Sequence, residues 1–124
     1  MSGLAWAAFV AAGAVGAPAR YLLDRVVTDR TGGAFPWGTF VINITGSFLL
    51  GFLTGLGLSH AFPRVPRVVL GTGFCGAYTT FSTFTFETVR LLEEGALREA
   101  VLNTAGTFVA GAVAAAAGLS VAAL

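Results

Sequence analysis

Charge is what this sequence lacks most. Only 10% of its 124 residues are charged, 56% are hydrophobic, and the mean hydropathy is +0.82. A soluble domain carries about 25% charged residues, so the chain belongs to the membrane class. Its basic residues are all arginines, scattered in ones and twos under a net charge of +1, which gives nucleic acid no footing. One cysteine, Cys75, excludes an intrachain disulfide and a cysteine-based zinc site. One histidine, His60, leaves no multi-ligand transition-metal centre within the chain. No nucleophile–base pair and no carboxylate dyad stands out, so an enzyme is the poorest reading.

Apolar runs fill the remainder. The length suits three or four spanning helices of about 20 residues, with short connections and no separate soluble domain. Spans are expected at about 3–23, 34–58, 68–92 and 100–124. The first ends near Gly13, Gly16 and Pro18, where Ala17-Pro18-Ala19 mimics a signal cleavage site. No basic residue precedes that run, so it is expected to be retained. Arg20, in its last turns, either snorkels toward headgroups or faces a wet vestibule that draws anions in. Asp24, Arg25, Asp29 and Arg30 are expected to form a polar loop closed by Gly32-Gly33.

Along the second span Thr39, Asn43, Ser47, Gly51 and Gly55 recur every four residues, opened by Pro36. The small members suit a close helix seam. Asn43 needs more, because an amide in hydrocarbon must find a hydrogen bond, either to a neighbouring helix or in a pore. Leu58 to Arg67, with Pro63 and Pro66, is expected to be a loop. Arg90, Glu93, Glu94, Gly95, Arg98 and Glu99 are expected to form a charged turn, with Gly95 ending a helix.

Gly71 to Glu87 organises the whole chain. Gly71, Gly73 and Gly76 weaken the helix just before Thr79, Thr80, Ser82, Thr83 and Thr85. Phe81 and Phe84 share one helical face. An alternating pattern over 80–86 also resembles a strand, but a lone strand cannot satisfy its backbone in lipid. The reading is a broken membrane helix that handles an ion. Glu87, ending the uncharged run, is either an interfacial carboxylate or a partner for nearby hydroxyls. Asn103, Thr104 and Thr107 are the polar members of the fourth span. Arg64 and Arg67 stand against Arg25, Arg30, Arg90 and Arg98 on the other side, a weak bias that permits insertion both ways. Four thin helices leave little room for a pore in one subunit, so oligomerisation is expected.

Three stretches together resemble the CrcB/Fluc fluoride channels. They are Gly13-Ala14-Val15-Gly16-Ala17-Pro18-Ala19-Arg20-Tyr21, then 38–48 (GTFVINITGSF), then 73–84 (GFCGAYTTFSTF). The third is the most specific. The resemblance implies an all-α membrane protein of four transmembrane helices, the third broken near Gly76-Thr80, paired as an antiparallel dual-topology homodimer around two fluoride pores. By that likeness Phe81 and Phe84 are the pore phenylalanines and Asn43 the pore amide. Thr39 would lie on the vestibule side, Ser82 and Thr83 would supply hydroxyls, and Arg20 would match the first-helix arginine. The backbone carbonyls of Gly76 and Thr79 would hold a structural sodium ion on the dimer axis. Two departures stand out: Ala77 replaces the family's second glycine, and Gly111 with alanines follows Thr107 where relatives extend a polar row. The implied role is passive fluoride export across the plasma (inner) membrane.

Two other classes compete. A small dual-topology drug or cation antiporter needs a membrane-embedded carboxylate, and the first span has none. A non-transporting assembly subunit needs only the small-residue seams, and leaves Asn43 and the threonine–phenylalanine row without a purpose.

Overall fold

The computed structural model describes residues 1–124 and contains helices and turns with no strand. Helix α1 is Gly3–Arg30, started by Ser2, whose hydroxyl accepts the Ala5 N–H at 3.1 Å. At 28 residues it is about 42 Å long, more than a bilayer core requires. The polar loop expected at Asp24–Arg30 is therefore a correction: those residues form the last turns of α1. No glycine or proline interrupts the chain between Leu23 and Arg30, and the polar side chains pair along the helix. Arg25 Nη1 donates to Tyr21 Oη at 3.0 Å, and Thr28 Oγ1 to Asp24 Oδ1 at 3.4 Å. The stop comes at Thr31, whose hydroxyl donates to the Val27 carbonyl at 2.9 Å, with Gly33 turning at φ 84°.

Helix α2 is Trp37–Ser59, with Pro36 just ahead of it. Phe35, Trp37 and Phe40 cluster at its start, with centroids 4.6–5.8 Å apart, an aromatic group of the kind that settles at a membrane–water boundary. The following connection passes through Ala61 at φ 52°, a left-handed conformation that an alanine adopts at a cost. Ala61→Gly is expected to raise stability by roughly 0.5–1 kcal/mol, the strain relieved less the added freedom of the unfolded chain. A thermal melt in detergent checks this, and a lowered midpoint contradicts it. The expected loop to Arg67 is shorter than thought, because α3, Arg64–Val68, already begins there. Pro66 sits in its first turn, where a missing N–H costs little.

The chain then crosses inward by irregular means. After α3 come a π-helical stretch, Val69–Cys75, a single turn α4, Gly76–Tyr78, a break at 79–81, and α5, Ser82–Glu93. The wide π winding lets α1 pack closely: Gly73 faces the Phe9 carbonyl, 3.0 Å from where a Cβ would stand, and Gly16 meets the Phe74 carbonyl from the other side. Helix α5 ends as expected at Gly95, φ 76°, with Ala96 N–H to Leu91 O at 2.8 Å and Gly95 N–H to Leu92 O at 3.1 Å, a Schellman closure. Helix α6 is Leu97–Ala122, so Arg98 and Glu99 belong to its first turn rather than to the charged turn. Its small face lies on α2, where Gly55 would bring a Cβ within 2.7 Å of the Ala122 Cβ. Three helices, α1, α2 and α6, are long and apolar enough to cross a membrane unaided. The segment between α2 and α6 is the broken one.

Candidate functional site

The break is set by what its threonines and Asn43 do with hydrogen bonds. Asn43, from the second turn of α2, donates from Nδ2 to the Thr80 carbonyl and accepts the Thr80 N–H on Oδ1, both at 2.9 Å. The amide thus closes a two-point pair with one residue of the break. Of the two partners expected for Asn43, the neighbouring segment is present, and the residue still borders the cleft described below. An amide carries two N–H donors, so one is left over.

Thr80 is buried, at 8% exposure, and its hydroxyl is the hub of the turn. It accepts the Thr83 N–H at 3.1 Å, donates to Thr83 Oγ1 at 3.1 Å and lies 3.3 Å from Ser82 Oγ. With its one proton given to Thr83, the proton of the Ser82 contact comes from Ser82, while Thr83 keeps its own to donate. A hydroxyl that accepts an N–H three residues on is the usual way to start a helix, here α5. Thr79 runs extended, ψ 160°, just before it. Thr80 was not among the residues expected to matter, although Thr-x-x-Thr ahead of a helix is a readable capping signal.

Two clefts meet at this turn. The larger, about 430 Å³, is open on one side and lined by Asn43, Ser47, Thr79, Thr80, Phe81, Phe84, Thr107, Phe108 and Gly111 among others, with no charged residue. The smaller, about 180 Å³, is lined by Arg20, Tyr21, Asp24, Thr39, Thr80 and Thr83 among others. The residues expected in one path are thus divided between two cavities: Asn43, Phe81 and Phe84 in the first, Arg20, Thr39 and Thr83 in the second, while Thr79, expected at the sodium ion, lines the first. Thr80 walls both. Ser82 and Gly76 line neither; Ser82 is exposed beside the turn, and a Cβ on Gly76 would meet nothing within 4 Å.

The phenylalanines differ in setting. Phe84 is buried, at 6% exposure, and stands edge to face with Phe108, centroids 6.0 Å apart and rings at 86°. Phe81 is 71% exposed, 5.9 Å from Phe84, and presents its ring outward from the open side. Phe108 was missed by sequence reasoning because an apolar residue on an apolar helix has no distinguishing neighbour. Asn103 was noted without a role; it is fully buried, donates to Thr88 Oγ1 at 2.8 Å and accepts from Thr107 Oγ1 at 3.5 Å. It therefore ties α5 to α6 and holds Thr107 at the cleft wall.

Glu87 is half-buried, and its Oε1 lies within the chain with no hydrogen-bond partner.

Long apolar helices gathered around an uncharged cleft define a multi-pass integral membrane protein. Within that class the chain belongs to the CrcB family: the family model described as "CrcB-like protein, Camphor Resistance (CrcB)" matches residues 7–119. The chain is 47% identical over 114 residues to fluoride-specific ion channel FluC 1 of Streptomyces avermitilis, with 92% of each chain covered. It is 47% identical over 122 residues to FluC 1 of Frankia casuarinae, covering 94% of this chain and 95% of that one. A FluC 2 of Mycobacterium tuberculosis is 44% identical over 110 residues, covering 89% of this chain and 84% of the relative.

Proposed function

We propose that the protein is a fluoride channel that lets the anion leave the cytoplasm passively across the plasma membrane. The observation that carries this is the larger cleft: Asn43, Phe81 and Phe84 stand around it with hydroxyls and with no charge. Its chemistry suits a small anion. Each water stripped from the ion has to be replaced by a donor, and uncharged donors do so without trapping it. The spare Asn43 N–H at this cleft and the free Thr83 proton at the smaller one are such donors. Ring edges are the positive part of an aromatic quadrupole, so Phe81 and Phe84 can touch an anion while keeping the path dry. Arg20, in the smaller cleft, would raise the local anion concentration at the mouth. Nothing in this route uses a catalytic group.

The path needs a second copy. In one chain the cleft lies open and Phe81 is largely exposed, which supports a second copy closing the wall. An antiparallel, dual-topology homodimer does this and agrees with the weak arginine bias. A structural sodium ion would sit at the dimer axis. The donors that a continuous helix would give to the Gly76 and Thr79 carbonyls are taken elsewhere, by Asn43 and Thr80, which leaves two oxygens open to a hard cation. Gly76 and Thr79 of the two copies would hold it, and the ion would supply fixed positive charge and a link between subunits.

The antiporter reading has one observation in its favour, the buried and unpartnered Glu87 oxygen. Ion efflux from liposomes containing the purified protein separates the readings. Fluoride efflux with no chloride efflux is expected. Efflux of neither, with proton-driven uptake of an organic cation, would favour exchange; no transport of any kind would favour the assembly subunit.

A further inference from the structure

A continuous α-helix gives the carbonyl of residue i the N–H of residue i+4. At this break two such donors are diverted by side chains. The Thr80 N–H, which a helix would give to Gly76, goes to Asn43 Oδ1 at 2.9 Å. The Thr83 N–H, which a helix would give to Thr79, goes to Thr80 Oγ1 at 3.1 Å. Neither diversion is loose. The second Asn43 bond, to the Thr80 carbonyl at 2.9 Å, holds the same residue from its other side and resists rotation of its peptides. The Thr80 hydroxyl is held in turn by its bond to Thr83 Oγ1 at 3.1 Å. Backbone carbonyls without donors are costly at membrane depth unless they line a cavity or meet an ion. Gly76 itself is exposed, and an added Cβ there would meet no atom within 4 Å, so the chain does not enclose this residue.

We propose that Asn43 and Thr80 are positioning residues for a cation: by drawing off two amide protons, they leave the Gly76 and Thr79 carbonyls open as its ligands. The inference rests on the sodium reading given above and turns the donor diversion noted there into a positioning role for two side chains. It assigns Thr80 a role, and it gives Asn43 a second one besides its place at the cleft wall. The anion path and the cation site are then joined through one side chain. A change in Asn43 acts on both.

The test reads sodium binding and not flux. The purified protein is melted in detergent at constant ionic strength, with sodium chloride exchanged stepwise for N-methyl-D-glucamine chloride. The wild-type melting temperature is expected to rise with sodium and to give a half-saturating concentration. In Asn43→Ala and in Thr80→Val that concentration is expected to rise about tenfold, as one carbonyl regains its helical donor. Thr80→Ser keeps the oxygen and should keep the wild-type value. If Asn43→Ala does not fold, the shape-matched Thr80→Val carries the test against Thr80→Ser. A lower melting temperature with an unchanged sodium midpoint in both variants would mean a merely structural role and overturn the proposal. A wild-type protein indifferent to sodium would remove the sodium reading itself, an outcome visible before any variant is made.

Discussion

Replacing Asn43 by aspartate is expected to suppress fluoride flux by about a thousandfold while the protein remains dimeric. A carboxylate about 4 Å from the ion repels it by roughly 4 kcal/mol at an effective dielectric constant of 20, and that barrier enters the rate directly. Phe81→Ile should act in the same direction with a smaller effect, up to about tenfold, because a ring-edge contact contributes roughly 0.5–1.5 kcal/mol. The two variants separate charge from contact. Liposome efflux followed with a fluoride electrode measures both, and size-exclusion chromatography checks assembly. Unchanged flux in both would take Asn43 and Phe81 out of the path and leave the cleft without its proposed use.

Gly118→Val is the second large effect, and it bears on the scaffold. A Cβ at Gly118 would overlap the Phe48 carbonyl and lie 2.7 Å from the Phe52 nitrogen, and both are backbone atoms of α2. Backbone cannot turn aside as a side chain does, so α6 would have to move away from α2 along the seam. The expected loss is about 3 kcal/mol, the upper range for overpacking a close contact. It should be seen as a lower midpoint in denaturant or heat, with aggregation of the detergent-solubilised protein. A midpoint equal to that of the wild type would mean that the two helices are not in close contact there.

The two effects differ in how far they were visible beforehand. The small residues Gly51 and Gly55 mark a seam by spacing alone, but nothing in that spacing names the partner. Packing supplies it: Gly51 rests on the Ala115 backbone and Gly55 on Ala122, both from α6. Asn43 declared itself because an amide in an apolar run must be satisfied. That it is satisfied by one residue, 37 positions later, is a fact of three dimensions. The polar stretch after Leu23 departs from its expectation for a related reason. Charge marks only the end of the apolar run, and a helix runs on into water until a breaker stops it.

By itself the sequence determined the solvent this chain lives in, its all-helical class and the location of the break. Composition and glycine placement act locally, so those features can be read without a fold. Only the tertiary structure decided which groups the break leaves unpaired and which side chains share a cleft. Such pairing joins residues far apart in the chain, and hydrogen bonds over 2.9 Å are made or missed by geometry that no local pattern carries.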